Sequence, residues 1–411
     1  MPGGNISFVP NSQVQDPAWK PGAHNQWDFT IQRELPANSR LEIGYVGHTA
    51  KNIYQGIDLN QVPFFMVAGG QSFAQAFDAL AQGATTVQPF FETALAGSSF
   101  CTSGSCTAGV LAKFGRGAFT TQQVRNVFNG IQSLFTFGPA TNAATQFTNF
   151  YYWSSLAQSS YHAAFVSYHI RAYRGLVLDA NFTYGHSLDN TTVNQDSDQS
   201  FSNSYDPHYD YGTSLFDRKY VLTVLGVWDV PFRSQNAWAK RVVGGWQLSP
   251  IISVASGLPL RVLDGSGQEF GQSSFGFASE AIRSGSGDAS AGVNRAAPTG
   301  ASGKGSGLNI FANPDAVRQQ FRTIQLSADT TSRGGTLRGF GGWNLDLSIA
   351  KKIYLNAERT RLTFSAEFFN AFNHVVFLDP AVSLQSPQTF GVITTQGNDA
   401  RQIQLGLRLD F

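Results

Sequence analysis

Apolar and polar residues alternate along much of the chain with a period of two, the spacing at which successive side chains of a β-strand point to opposite faces. The end of the chain shows it most cleanly. In RQIQLGLRLDF, Ile403, Leu405, Leu407, Leu409 and Phe411 alternate with Gln402, Gln404, Gly406, Arg408 and Asp410. Upstream, Trp343, Leu345, Leu347 and Ile349 alternate with Asn344, Asp346, Ser348 and Ala350, and Leu362, Phe364, Ala366 and Phe368 alternate with Thr363, Ser365 and Glu367. Trp246, Leu248, Ile252 and Val254 form another such run, and Leu176, Leu178, Ala180, Phe182 and Tyr184 a further one. Trp27, Phe29 and Ile31 are followed by Leu41, Ile43 and Tyr45 across the turn Pro36-Ala37-Asn38-Ser39. The runs at 161–172 and 216–228 are less regular, because Val221, Leu225 and Val227 put apolar groups on both faces. Together these runs predict about nine strands and an all-β fold.

Their lengths, about 10 to 13 residues, suit a tilted strand crossing a bilayer, whereas strands of soluble sandwiches are usually nearer 5 or 6. The connections alternate as well. Short ones fall near Pro36, at Tyr173-Arg174-Gly175, over 231–241 and at Asn356-Ala357-Glu358; long ones fall at about 49–159, 187–215, 257–341 and 374–400. Short turns on one side and long loops on the other predict an antiparallel outer-membrane β-barrel with long extracellular loops. Trp27 and Trp343 stand where strands leave a long loop, and Trp228 and Trp246 flank the 231–241 turn, as the two aromatic girdles of such a barrel require.

Composition agrees. The 411 residues carry 28 Lys+Arg against 27 Asp+Glu, a net charge of +1, so no general attraction to nucleic acid is expected. Charged residues make up 13% and hydrophobic ones 42%, with 42 Gly and 34 Phe. Mean hydropathy is −0.15, and no apolar run approaches the ~18 residues of a spanning helix, so a membrane would be crossed by strands. Met1-Pro2-Gly3-Gly4-Asn5 shows no basic segment followed by an apolar one, so no secretory signal is read. The strand count is odd and the first strand descends from the long-loop side, which leads to the expectation that 1–24 is an external loop remnant and 25–411 the C-terminal part of a larger barrel.

The segments NQWDFTIQRELP followed by LEIGYVG, YDPHYDYGTSLFDRKYVLTVLGVWDVPF, GGWQLSPIISVASGLPL, LRGFGGWNLDLSIAKKI, FSAEFFNAFNHVVF and RQIQLGLRLDF resemble the C-terminal barrel half of TonB-dependent receptors. The nearest likeness is to the Oar-like branch bearing a carboxypeptidase regulatory-like domain, common in Acidobacteria. The resemblance covers the chain from about residue 20 to its end. It implies a cell outer-membrane location, a large barrel filled by an N-terminal plug, coupling through that plug to TonB, and an extracellular ligand. A TonB box, plug and regulatory domain are not found in this sequence. A surface adhesin or structural barrel without transport, or a non-functional fragment, are the competing readings. Leu405, Leu407, Leu409 and the terminal Phe411 further resemble the signal by which the barrel assembly machinery recognises its substrates.

Candidate chemistry is sparse. Cys101 and Cys106, in CTSGSC, read as a small disulfide, the alternative being two free thiols; no His or second Cys pair nearby suggests a metal site. In the 49–159 loop, Phe73, Ala76, Phe77 and Leu80 form one helical stripe and Val124, Val127, Phe128 and Ile131 another, with Phe64, Phe65, Phe90 and Phe91 suggesting a small core. Asp189, Asp196 and Asp198 are spaced like part of a calcium loop that lacks the sixth-position Gly and twelfth-position Glu. His208 between Asp206 and Asp210 is a weak ligand candidate. The stretch 285–307 is Gly/Ser/Ala-rich without phosphate-cradling spacing, and Asn313-Pro314-Asp315 predicts the start of a helix through Phe321. Asp28, Glu42, Asp179, Asp346, Glu367 and Arg408 are expected on the lumen wall. No nucleophile–base pairing is evident, so neither an enzymatic role nor a cofactor is expected.

Overall fold

The computed structural model describes residues 9–135, 147–190, 201–232, 236–265, 270–272, 280–285, 291–294, 308–331, 337–356 and 360–411. Nine long strands form one antiparallel meander: β2 (Ala23–Leu35), β3 (Ser39–Asp58), β4 (Phe147–Tyr173), β5 (Leu176–Asp189), β6 (Tyr220–Asp229), β7 (Trp246–Ala255), β8 (Gly342–Asn356), β9 (Thr360–Phe369) and β10 (Gln402–Asp410). Each pairs with its neighbours in sequence, so the spatial order runs β10-β9-β8-β7-β6-β5-β4-β3-β2, and the sheet is open with β2 and β10 at its edges. A preceding strand β1 (Val9–Gln15) lies parallel to the start of β4, and Gly212–Thr213 adds to β5. No described helix is long and apolar enough to cross a membrane.

Pairing register explains the sequence pattern, because directly paired residues share a face. Trp27 pairs with Gly47, Phe29 with Tyr45 and Ile31 with Ile43; Tyr45 pairs onward with Ala164, and Ala164 with Tyr184. The alternate positions, Asp28, Glu42, Ser167 and Asn181 among them, form the polar face, which in an outer-membrane barrel lines the lumen. On the apolar face Phe29 is 64% and Leu407 72% exposed, the exposure lipid would cover.

Strand length departs from expectation. The strands are not uniform: β3 has 20 residues and β4 has 27, so β4 is about 90 Å long at the usual rise, far beyond a ~30 Å bilayer. The first long loop is accordingly 59–146 rather than 49–159. The apolar groups on both faces of 216–228 also find their place. Val221, Leu225 and Val227 pair with Thr183, Asp179 and Val177, which puts all three on the polar face. Tight turns close the other end at 36–38 and 174–175, whereas the connection 230–245 carries a short helix, Ala237–Val243. Tyr173 pairs with Leu176 across Arg174 and Gly175, whose positive φ values (51° and 80°) suit a two-residue hairpin turn. A Cβ at Gly175 would also strike the Asp229 carbonyl.

Candidate functional site

The four long loops, 59–146, 190–219, 256–341 and 370–401, all leave the same end of the sheet, and their described parts form a packed cap. In the first loop, helix α1 (Phe73–Ala81) starts at a capping box: Ser72 Oγ accepts from the Gln75 backbone, and the Gln75 side chain accepts from Ser72 N. Its stripe Phe73, Ala76, Phe77 and Leu80 is fully buried. Helix α2 (Pro89–Ala94) opens on proline and buries Phe90 and Phe91. Helix α3 (Cys106–Thr120) is capped by Ser105 and kinked at Gly115, and helix α4 (Val124–Ile131) buries Val124, Val127, Phe128 and Ile131. Phe64 joins this core, whereas Phe65 is 56% exposed and stacks edge-on against Tyr205 of the second loop, centroids 4.8 Å apart. The fourth phenylalanine expected in the core therefore lies on the cap surface.

The core is shared among loops. Tyr209 from 190–219, and Phe270, Ile324 and Leu326 from 256–341, complete the cluster built by α1 to α4. A second cluster joins Leu260, Ile310, Phe311 and Phe321 of 256–341 to Val382 and Phe390 of 370–401. Buried polar groups tie the same segments. Gln61 Nε2 donates to the Ser202 and Phe270 carbonyls at 3.2 and 3.0 Å, and its Oε1 accepts from Ser204 N at 2.6 Å. Arg125 donates to the Asn60 carbonyl at 2.7 Å. Asp78, on α1, accepts from Leu326 N, Ser327 N and Ser327 Oγ at 3.0, 2.8 and 2.6 Å. Burial pushes its carboxyl above the ordinary value, against the lowering effect of those hydrogen bonds. Burial likewise pushes the Tyr205 phenol up to about 12, with the charge of Asp58 acting in the same direction.

Cys101 and Cys106 are joined by a disulfide, S–S 2.00 Å, at the entry to α3. Glu92 accepts from Cys106 N, Thr107 N and Thr107 Oγ1 at 3.1, 2.8 and 2.7 Å, so α2 is tied to the start of α3 beside that bridge. Among the described residues, the acidic candidates form no group of three or more that could hold a metal ion. Asp189 accepts from Ser214 Oγ, Asp210 from Ser202 N at 2.7 Å, and Asp206 from His208 N at 3.0 Å; Asp196 and Asp198 lie outside the described residues. Asn313 caps a short helix (Pro314–Arg318) through Ala316 N, but the helix ends at Arg318 because Phe321 pairs with Arg283 as a strand. Of 285–307, only Gly285 and 291–294 are described, the latter a short strand opposite Asn309–Phe311.

The four tryptophans expected in girdles are all on the apolar face and exposed: Trp27 and Trp343 at the loop ends of β2 and β8, Trp228 and Trp246 at the turn ends of β6 and β7. Lys351, also on that face, reaches the turn end, where its ammonium donates to the carbonyls of Val242 and Gly244 and sits 5.1 Å from the Trp246 ring centroid. Leu405, Leu407, Leu409 and Phe411 close the apolar face along the β10 edge, with Phe411 99% exposed. On the polar face Gln32 donates to Glu42 at 2.7 Å, His169 contacts Asp179, and Arg361 and Arg408 hold Asp410. A cavity of about 390 Å³ opens over Val177, Leu225, Val227, Ile251 and Phe369, with Asp179, Asp346 and Glu367 at its margin. Leu225 and Val227 are among the groups whose sequence pattern put apolar side chains on both faces.

The family model described as outer membrane beta barrel domain matches residues 2–404. The chain belongs to this family. Its location is accordingly the outer membrane, and its apolar face is the lipid face. No curated protein matches the chain. Among solved structures, this barrel domain is similar to the outer membrane transporter YddB from Escherichia coli, at TM-score 0.43 and 9% identity, covering 98% of this chain and 34% of that one. It is also similar to the pyoverdine outer membrane receptor FpvA from Pseudomonas aeruginosa PAO1, at TM-score 0.38 and 9% identity over 96% and 30%. A third likeness is to BauA, the ferric preacinetobactin receptor from Acinetobacter baumannii, at TM-score 0.36 and 10% identity over 94% and 29%. The barrel domain spans about a third of the length of these solved chains.

Proposed function

We propose that this barrel domain is part of an Oar-like TonB-dependent receptor whose capped loops capture an extracellular ligand for uptake across the outer membrane. The observation that carries the reading is the cap. Loops up to about 250 residues apart in sequence are tied into one packed body at a single end of the sheet, here by Asp78 with Leu326 and Ser327, while the connections at the other end are much shorter than these loops. A purely structural barrel has no use for such a cap, since each long loop ordered costs conformational entropy that the barrel wall does not recover. Exposed Phe65 and Tyr205, from two different loops, give the cap surface a rigid aromatic contact site. The segments resembling the receptor barrel support the same assignment, and with it a plug inside the polar wall, contact with TonB through that plug, assembly by the barrel machinery, and transport rather than catalysis.

The test is a strain lacking the gene, compared with parent and complemented strains for uptake of solutes from defined medium, with and without a protonophore. Energy-dependent uptake lost in the mutant and restored by the gene is expected. A defect confined to attachment, with uptake intact, would replace this reading by an adhesin.

A further inference from the structure

The β2–β3 hairpin brings together two imidazoles that the sequence separates. Gln26 pairs with His48 and His24 with Ala50, so His24 and His48 are diagonal neighbours on the polar face. Their ring centroids lie 4.6 Å apart with the planes at 62°. The pair sits at the loop end of the hairpin, His24 being the second residue of β2. His24 is exposed and His48 half-buried. Among the described residues, neither ring is committed to a hydrogen bond or an ion pair. The residues beside them on this face are Gln26 and Ala50, and across β4, Ser159 and Tyr161. Asp28, the other diagonal neighbour of His48 on this face, forms no ion pair with it among the described residues.

The separation is that of a chelating pair. A metal bound at about 2.05 Å to one nitrogen of each ring lies roughly 3.2 Å from each centroid, which puts the centroids about 4.5 Å apart for a right-angled N–metal–N arrangement and about 5.2 Å for a tetrahedral one. The observed 4.6 Å falls inside that interval. Aiming one nitrogen of each ring at a common point needs only side-chain rotation, and the exposure of His24 leaves room for it. Two imidazoles select borderline divalent ions of the zinc, copper and nickel class over magnesium or calcium, which prefer oxygen donors. We propose that His24 and His48 form a two-histidine site for a divalent transition metal at the loop-end mouth of the lumen wall, its remaining positions filled by water or by donor groups of an arriving ligand. The inference concerns the hairpin alone and stands whether or not the barrel transports.

The experiment is calorimetric titration of the full chain, purified from outer membranes in detergent, with zinc chloride alone. His24→Gln and His48→Gln should each weaken zinc binding by about tenfold or more, and the double variant should be little worse than either, since losing one ligand already ends chelation. His208→Gln, a substitution at an exposed loop imidazole, should leave binding unchanged. On the unaltered protein, zinc should protect His24 and His48 from carbethoxylation read by mass spectrometry while His208 stays modified, a readout that needs no variant to fold. Zinc binding absent from the parent, or equal in parent and double variant, overturns the proposal, as does modification of His24 and His48 that zinc does not slow.

Discussion

Replacing Asp78 with alanine should loosen the cap without disturbing the strands. The Asp78 side chain is 4% exposed and accepts from three donors of the 256–341 loop. Hydrogen bonds to a charged acceptor contribute about 1.5–3 kcal/mol each, and donors left buried without a partner cost a similar amount. Against this, the carboxylate itself is penalised by burial, as the upward displacement of its pKa shows, so part of the loss is recovered when it is removed. The Ser327 hydroxyl can turn to water, which leaves the two backbone donors as the main cost. Local opening should become easier by about 2–4 kcal/mol, which is roughly thirtyfold to a thousandfold in the opening constant. Amide hydrogen exchange on the protein in detergent micelles reads this directly: Leu326 and Ser327 should lose protection by that factor, and α1 should follow, while β7 to β9 stay protected. Asp315→Ala, on an exposed carboxylate of the same loop, should change little. Leu326 and Ser327 amides that exchange within about threefold of the parent would refute the reasoning, because the strongest tie between these loops would then contribute almost nothing.

Other consequences follow from the same contacts. Cys101→Ser should destabilise the α2–α3 corner by about 2 kcal/mol, the chain-entropy value for so short a ring, seen as faster proteolysis near residue 101 with unchanged strand content; equal proteolysis would count against a structural role. Burial raises the Glu92 carboxyl, but the hydrogen bonds from Thr107 and Cys106 outweigh it and hold Glu92 below its ordinary 4.5. Its contribution is therefore present above that value and is lost as pH falls through the lowered one. Thr107 amide exchange, corrected for its intrinsic rate, should accelerate on acidification in the parent and much less in Glu92→Gln. Asp78 has the opposite sign: its raised pKa makes its own contribution more favourable as pH falls. Phe411→Ser should impair assembly, measured as reduced surface labelling of a cap epitope, and normal labelling would remove Phe411 from the assembly signal.

The meander was legible because period two survives wherever one face meets lipid and the other water. The number of meander strands could be read from runs such as Trp27, Phe29 and Ile31 or Leu405, Leu407 and Leu409, and the levels of Trp27, Trp228, Trp246 and Trp343 from their places at the ends of such runs. The same logic fails outside the bilayer. The first half of β4, with Tyr151, Tyr152, Ser154 and Ser155, has no lipid face to keep apolar, so its strand continues without alternation and reads as loop. Helices α1 and α4 were legible from their buried stripes, but the contacts that make a cap of separate loops were not. Asp78 meets backbone amides, and any residue supplies those. The apolar groups Val221, Leu225 and Val227 were visible, yet only pairing with Val177, Asp179 and Thr183 assigns them to the polar wall.

Register is the link between the girdle and the histidine pair. A slip of one residue between β2 and β3 would carry Trp27, Phe29 and Ile31 off the lipid face and separate His24 from His48. Gly47 of β3 resists that slip, and Gly44 resists a slip of β3 against β4 in the same way. The indole of Trp27 lies across Gly47, its directly paired residue, and the Phe165 ring lies across Gly44, so a Cβ at either position would overlap the ring. One contact acts on the apolar face and the other on the polar face, an arrangement in which an aromatic side chain covers a glycine and fixes the pairing. After a slip by one, Trp27 would face His48 or Val46 and lose that seat. The lipid-facing tryptophan and the lumen-facing imidazoles are thus held by a single pairing, and a residue larger than glycine at 47 should disturb both together.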